Sequence, residues 1–389
     1  MFHRLFALGL MLLTPLTLPN GALAGEPHPA NQSAWWTDRL PDWIDEALAA
    51  TNDGRERWTV MSRAISGLAA LDDEARMKAV AQAGVENGVL EEGETHLLRL
   101  AAARSTRGDI AGAQAAADAM NNAQWRDMAY WSIVGLQALA GELDRATGLL
   151  EQIADPHQRD GARVWIVPEL VRAERVGEAR RMLEAIASPD HSARAELFLR
   201  RAEAGELMPR AESPFLDHAV RRSGLFGERM PAGTAVAHAW RAARRGPAEQ
   251  FDAHADMVLE QLEEVSSPAD RAVTLGTLAV AAFEQGYEDK ALGFASLAAQ
   301  DMEQEDRVTS GRFGSAAVAY IHTRLEPWHE VREQLVDDEG RVIFVPGIAA
   351  ALTEAARFDE LAQWVEDMES AGDRVEAFAE FARALATSQ

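Results

Sequence analysis

One stretch of the sequence superimposes on another after a shift of about 33 residues, and this internal repeat constrains the fold more than any other feature. Arg126-Asp127 and Ile133-Val134 fall on Arg159-Asp160 and Ile166-Val167. A period of this length with helical spacing inside it is typical of stacked helical hairpins, because one hairpin cannot bury its apolar face without a neighbour. The sequence therefore predicts an all-α solenoid of antiparallel helix pairs, a fold that usually presents a binding surface.

Residues 1–24 differ from the rest of the chain. They contain Arg4, an almost wholly apolar run from Leu5 to Leu18, and the small-x-small pattern Ala22-Leu23-Ala24. This pattern predicts a signal peptide cut after Ala24, and so a periplasmic or secreted protein. The alternative is an uncleaved membrane anchor, but the run is short for a bilayer span and Pro15 interrupts it. After cleavage we expect no integral membrane segment.

Charge and cysteine content exclude several classes of partner and site. The net charge is −24, and it becomes −25 when Arg4 leaves with the signal peptide. Such an acidic surface repels phosphate backbones, so we expect no nucleic-acid partner. The chain has no cysteine, which excludes disulfides, thiolate metal sites, a cysteine nucleophile and a lipid-modified N-terminal cysteine.

Recurrent turns and caps sharpen the hairpin prediction. Glycine precedes alanine by five residues in three places: Gly108 and Ala113, Gly141 and Ala146, and Gly286 and Ala291. We interpret the glycine as a left-handed helix cap and the alanine as a point of close helix packing. An N-cap acceptor precedes proline at four predicted helix starts: Asp155-Pro156, Ser188-Pro189, Ser213-Pro214 and Ser267-Pro268.

These turns resemble the tetratricopeptide repeat, whose helix–turn–helix unit of roughly 34 residues places a large and a small residue before the turn glycine. Leu100-Ala101, Ile133-Val134 and Leu278-Ala279 stand at that position. The resemblance implies a right-handed superhelix whose inner groove is lined by fixed positions of each first helix. Here the lining is small and apolar, and its candidate partner-binding residues are Leu98, Met128, Trp131, Val273 and Phe283. Such a lining fits either an apolar partner segment or a groove closed by the chain's own coiling.

The density of proline and glycine divides the mature chain into three parts. We predict an N-terminal repeat array over residues 25–207, an irregular connector over 208–247 and a C-terminal array over 248–389. Six arginines and one acid between residues 219 and 247 give the connector a local net charge of +5. Its candidate anionic-partner patch consists of Arg221, Arg222, Arg241, Arg244 and Arg245. Alternatively, these arginines pair with acidic neighbours.

Tryptophans crowd the start of the predicted mature chain, at Trp35, Trp36, Trp43 and Trp58. We favour an aromatic cap that covers the end of the array, since terminal repeats must differ from internal ones. The alternative is an aromatic patch that binds a partner.

Enzyme motifs are missing from the sequence. It has no Gly-x-Ser-x-Gly elbow, no phosphate-binding glycine loop and no His-Glu-x-x-His pair. Asp252, His254 and Asp256 are close in sequence, but alternate residues of a helix point to different sides and cannot converge on one metal. We therefore predict no catalytic residue, cofactor or metal.

The function expected from these features is an exported scaffold for protein–protein interaction in the bacterial cell envelope. One alternative is a helical domain of cell-wall or polysaccharide processing, either an enzyme or an accessory subunit. Another is a subunit whose apolar groove is filled only inside an envelope complex.

Overall fold

The computed structural model describes residues 30–90, 94–203, 216, 233–245, 248–303, 312–326, 331 and 345–388. Across these ranges every regular element is helical and no strand occurs, so the all-α prediction is confirmed there. None of the described helices is both long and apolar enough to cross a membrane. The predicted signal peptide and Ser213-Pro214 lie outside the described residues.

The chain divides into two compact units. One consists of residues 1–205 with 385–389, and the other of residues 206–384. The described helices of the first unit are α1 (Ala30–Ala50), α2 (Gly54–Ala70), α3 (Glu74–Glu86), α4 (Thr95–Thr106), α5 (Ile110–Asp118), α6 (Ala123–Ala140), α7 (Leu143–Leu149), a short 3₁₀ turn (Leu150–Gln152), α8 (Pro156–Arg172), α9 (Val176–Glu184) and α10 (Pro189–Glu203).

The described helices that follow residue 206 belong to the second unit, apart from the end of the last one. They are α11 (Gly233–Arg245), α12 (Ala248–Leu262), α13 (Pro268–Phe283), α14 (Glu288–Glu303), α15 (Arg312–Leu325), α16 (Val345–Glu354), α17 (Phe358–Glu366) and α18 (Ala371–Ser388).

The predicted left-handed turns are confirmed. Gly108, Gly141 and Gly286 have φ angles of 79°, 86° and 72°. In each turn the next backbone N–H donates to a carbonyl five residues back, as in Asp109 to Arg104 at 2.9 Å, which ends the first helix. The alanines five residues after these glycines are fully buried, so the second helix packs closely.

The same turn also occurs without glycine. Asp72, Glu174 and Ala356 take φ angles of 60°, 61° and 56° and stand between a first and a second helix. Their turns close with the same backbone bond, for example from Arg175 N–H to the Leu170 carbonyl at 2.8 Å. A search for glycine alone misses these three hairpins.

Two of the predicted caps are confirmed by side-chain hydrogen bonds. The Asp155 carboxylate accepts from the N–H groups of His157 at 2.7 Å and Gln158 at 3.0 Å, with Pro156 opening α8. Ser267 accepts from the N–H of Asp270 at 3.2 Å and starts α13. Helix α10 begins at Pro189, as expected from Ser188-Pro189.

First and second helices of the hairpins differ in burial. Helix α6 is buried on all sides from residue 129 to residue 138, and it packs on its own second helix α7 and on α4 and α8. Helix α9, a second helix, buries only Ala179. The first helices therefore supply the core, and the second helices cover one side of it.

One region differs from the sequence prediction. The connector over 208–247 was expected to be irregular, but residues 233–245 form helix α11. Pro231, Gly246 and Pro247 flank this segment and Gly233 is its first residue, whereas its interior is rich in alanine, a strong helix former. Val236, Ala239 and Trp240 of α11 lie in the main core of the second unit.

Candidate functional site

The five candidate groove residues lie in first helices, but they are unequally accessible. Leu98 in α4 and Trp131 in α6 are buried, with 6% and 8% of their surface exposed. Met128 in α6 and the α13 residues Val273 and Phe283 are half-buried. The first three belong to the first unit and the last two to the second. In a closed groove, Leu98 and Trp131 would both be buried, as they are here.

Phe283 has a packing partner in its own unit. Its ring meets that of Tyr320 edge-to-face, with centroids 6.0 Å apart, and it packs against the unit's main hydrophobic cluster. Such pairs stabilise a core beyond the area that they bury. Phe283 therefore contributes to the core, whatever surface it also offers.

Trp131 is the centre of an aromatic cluster contributed by three consecutive first helices. Its ring meets Trp165 of α8 edge-to-face, with centroids 6.0 Å apart. Gly161 of α8 provides the space: a Cβ there would lie 3.1 Å from Trp131 Nε1 and 3.5 Å from the imidazole of His191 in α10. We call Trp131, Gly161, Trp165, His157 and His191 the Trp131 cluster. Of these residues, the sequence predicted only Trp131 as a candidate for partner binding.

Two imidazoles form the accessible edge of the Trp131 cluster. The rings of His157 and His191 are 4.5 Å apart and tilted by 38°; His157 is exposed and His191 half-buried. Burial lowers the pKa of His191, and the nearby His157 and Arg194 lower it further, against Asp160 and Asp190. The neutral imidazole is thus favoured at this edge.

Two buried carboxylates explain the Arg-Asp pairs of the sequence repeat. Asp127 is 4% exposed and accepts from the N–H groups of Ala154 at 3.0 Å and Asp155 at 2.8 Å. One hairpin later, Asp160 is 3% exposed and accepts from Ala187 and Ser188, both at 2.9 Å. Each carboxylate therefore holds the linker that leads into the next first helix. We call this arrangement a linker bridge.

Glu94 makes the same bridge without belonging to the visible repeat. Its two carboxylate oxygens accept from the N–H groups of Asn121 at 2.5 Å and Asn122 at 3.0 Å. It stands as far before the left-handed Gly108 as Asp127 stands before Gly141 and Asp160 before Glu174. Glu94 is therefore equivalent to Asp127 and Asp160 by its distance from the left-handed turn, although its residue type differs.

The arginine of the repeat has a structural contact as well. Arg159 donates through Nε, at 2.9 Å, and Nη2 to the carbonyl of Ile153 in its own linker. Arg271 and Arg374 of the second unit donate likewise to Val265 and Met368, each six residues back. A guanidinium group carries several N–H donors. One arginine side chain can therefore donate to a linker carbonyl that lies outside the helices.

The arginine patch lies mostly outside the described part of the chain. Arg221 and Arg222 are not among the described residues, and Arg244 and Arg245 have only their backbone described, in the last turn of α11. Arg241 is half-buried on the same helix. The patch stays a prediction.

The N-terminal tryptophans pack together in α1. The ring centroids of Trp35, Trp36 and Trp43 lie 5.0 to 6.0 Å apart, and the Arg39 guanidinium stands 4.3 Å from the Trp35 ring. Trp36 and Trp43 are buried, whereas Trp35 and Trp58 are half-buried. This burial favours packing as the main role of the cluster.

Within the described ranges, no three His, Asp or Glu side chains come close enough to hold a metal ion. Of the acidic residues near His254, Asp252 pairs with Lys290. The chain matches no known protein-family model, and no curated protein is significantly similar to it.

Proposed function

We propose that this protein is an exported helical-repeat scaffold that binds a protein partner in the bacterial cell envelope. The linker bridges are the observation that carries the proposal. Asp127 and Asp160, whose burial would suit a catalytic carboxylate, each accept two backbone N–H bonds from the following linker. These groups hold successive hairpins in register, which is the requirement of a rigid binding surface.

A tetratricopeptide-like superhelix with a period of about 33 residues is part of this proposal. The left-handed positions Asp72, Gly108, Gly141 and Glu174 support it. The steps from Gly108 to Gly141 and from Gly141 to Glu174 are equal, and the step before them is only slightly longer. Each hairpin then contacts its neighbours through equivalent residues, as the linker bridges do.

The accessible edge of the Trp131 cluster is the surface that we propose for the partner. Trp165 and His191 are half-buried there and His157 is exposed, and the half-buried Met128 precedes Trp131 by three residues on α6. Such a surface fits a protein segment with an apolar side chain, since aromatic side chains offer large contact areas at little cost in conformational entropy.

A photo-crosslinking amino acid at position 128 tests the binding surface in living cells. We expect a discrete crosslinked protein from this position and none from position 184, an exposed site on α9. Met128→Glu should reduce co-purification of the captured protein while leaving the circular dichroism spectrum unchanged. Equal capture from positions 128 and 184 would remove this surface from the proposal.

Export is tested separately by cell fractionation and N-terminal sequencing. We expect a periplasmic or secreted chain that begins at Gly25, and a membrane-bound chain that retains residues 1–24 would contradict it. Release of soluble fragments from peptidoglycan or polysaccharide by the purified protein would support the alternative, a role in cell-wall processing.

A further inference from the structure

A second pair of histidines lies on the surface of the second unit. His238 of α11 and His254 of α12 have nearly parallel rings whose centroids are 5.7 Å apart, with 23° between the planes. The two helices are joined over a short link and bury Trp240 and Phe251 in the same core cluster. The backbone positions of the pair are thus fixed by packing, while His238 is exposed and His254 half-buried.

The separation of the rings suits two ligands of one metal ion. With a metal–nitrogen bond of about 2 Å and a ring centre about 1 Å behind the nitrogen, two imidazoles on one tetrahedral metal have centres about 5 Å apart. The observed 5.7 Å is close to this value. The χ2 torsion of histidine is only weakly restrained. Rotation of both rings about it would direct one nitrogen of each ring towards a common point.

A third donor stands one helical turn from His254. Met257 is 48% exposed, more than any other large hydrophobic side chain in the described ranges. Residues three apart on a helix are neighbours on one face, so the Met257 thioether is within reach of an ion held by His254. An apolar side chain in this exposed position is otherwise unexplained by packing.

The nature of these donors selects the metal. A thioether is a soft ligand that binds Cu(I), and imidazole also binds copper, whereas Zn(II) sites are built from imidazole, thiolate and carboxylate. Helix α12 carries Glu249, Asp252, Asp256 and Glu260 and neither lysine nor arginine, whereas α11 carries Arg241, Arg244 and Arg245. Because the charges of the two helices oppose each other, the donor atoms select the metal, and the net charge around them does not.

We propose that His238, His254 and Met257 form a surface site for Cu(I). This site differs from the other histidine pair because a methionine lies one helical turn from one of its imidazoles. Around His157 and His191, the residues one turn onward are Asp160 and Arg194, and neither supplies a soft donor. The site is independent of the partner surface proposed above.

Anaerobic titration of the purified protein with Cu(I), in competition with a chromogenic Cu(I) chelator, tests the proposal. We expect one Cu(I) per chain, lost in His254→Gln and bound at least about tenfold more weakly in Met257→Leu, which removes a ligand while conserving volume. His191→Gln, which changes the other pair, should retain full affinity. Circular dichroism should be identical for all variants, because the substituted positions are partly exposed.

Copper X-ray absorption gives the second readout. We expect sulfur scattering in the wild type and its loss in Met257→Leu. Failure of the protein to compete for Cu(I), or unchanged Cu(I) affinity in His254→Gln or Met257→Leu, would overturn the site. If Zn(II) bound to the same histidines and Met257→Leu had no effect on either metal, the assignment to Cu(I) would be wrong.

Discussion

The two units hold their linkers with different chemistry. In the first unit, Asp160 follows Arg159 and accepts from the backbone of the next linker. In the second unit, Arg271 is followed by Ala272, which is buried in the core, and the carboxylate partner of Arg271 is Asp301 on a later helix. The arginine–carbonyl contact is shared by both units, but among the described residues the carboxylate–backbone bridge is seen in the first unit alone.

This difference explains why the sequence repeat is clear in one region and weak in another. A bridge to backbone N–H groups requires an acidic residue at one fixed position of the first helix, so Asp127 and Asp160 coincide when the sequence is shifted by one repeat. An ion pair such as Arg271–Asp301 places its acid on another helix, α14. A similar backbone arrangement then gives few matching residues when the sequence is shifted by one repeat.

The largest expected effect is the loss of a linker bridge. Asp160→Ala removes a buried carboxylate that accepts from the N–H groups of Ala187 and Ser188 and pairs with Arg163. It should lower the free energy of unfolding by about 3 kcal/mol, since a hydrogen bond to a charged group contributes about 1.5–3 kcal/mol. Urea denaturation measures the total, and hydrogen exchange at Ala187 and Ser188 should accelerate selectively.

Two controls sharpen this comparison of the units. Asp144→Ala breaks an exposed ion pair with Arg175 and should leave the urea midpoint unchanged. Asp301→Ala should cost about 1 kcal/mol, because its ion pair with Arg271 is only partly buried and no backbone donor is left unsatisfied. If Asp301→Ala cost as much as Asp160→Ala, the distinction between the two units would disappear.

A smaller effect is expected where Gly161 accommodates the Trp131 cluster. Gly161→Ala places a Cβ 3.1 Å from Trp131 Nε1 and should destabilise the first unit by about 2 kcal/mol through overpacking. Gly135→Ala is the matched control on α6, because its Cβ would meet Trp165 at an ordinary 3.8 Å. Since alanine favours helix over glycine by about 0.5–1 kcal/mol, this variant should be neutral or stabilised.

Thermal unfolding and the near-ultraviolet circular dichroism of the tryptophans measure both variants. If Gly161→Ala and Gly135→Ala were equally stable, the Trp131 side chain would have moved to make room for the added methyl group. This result would contradict tight packing of Trp131 against Gly161.

The turns offer the next comparison between the units. Gly141→Ala puts a side chain into a left-handed conformation at φ 86° and should cost about 1 kcal/mol. Ala356 of the second unit already carries that strain at φ 56°, so Ala356→Gly should change stability by less than about 1 kcal/mol, with relief of strain opposed by the entropy of the unfolded chain. Denaturation midpoints of the two variants decide whether both turns are equally strained.

Much of the helical framework could be predicted from local chemistry. Glycine at 108, 141 and 286 and the caps Asp155-Pro156 and Ser267-Pro268 act within a few residues, so their roles are visible in the sequence. The linker bridges join residues 27 or 28 apart, and Glu94 makes one without an Arg-Asp pair. The hairpins at Asp72 and Glu174 have a non-glycine residue in the left-handed region, so the spacing of turn glycines does not indicate them.

The candidate surfaces were harder to predict, for a physical reason. Trp131 and Leu98 were predicted to line a groove that either holds an apolar partner segment or is closed by the chain's own coiling. The sequence left both alternatives because the burial of these residues depends on the packing of neighbouring helices, which a single helix pattern does not specify. Gly161 joins the Trp131 cluster through the contact between α6 and α8, and His191 joins it through the contact between α8 and α10. His238 and His254 are likewise brought together by a hairpin whose first helix lies in a region expected to be irregular.

The smallest expected effect is a pH dependence confined to the first unit. His191 has a pKa below 6.5, chiefly because of burial, so the unfolded chain binds its proton more readily than the folded one. Stability is therefore fully present above pH 6.5 and decreases as the pH falls from 6.5 towards the lowered pKa of the folded state. Titration of the His191 imidazole by NMR should give a midpoint below 6.5. His191→Gln should reduce the slope of this part of the stability profile, to which His96 also contributes because burial lowers its pKa. A midpoint at or above 6.5 would mean that Asp160 and Asp190 outweigh burial at this edge, and the Trp131 cluster would then present a charged rather than a neutral ring to its partner.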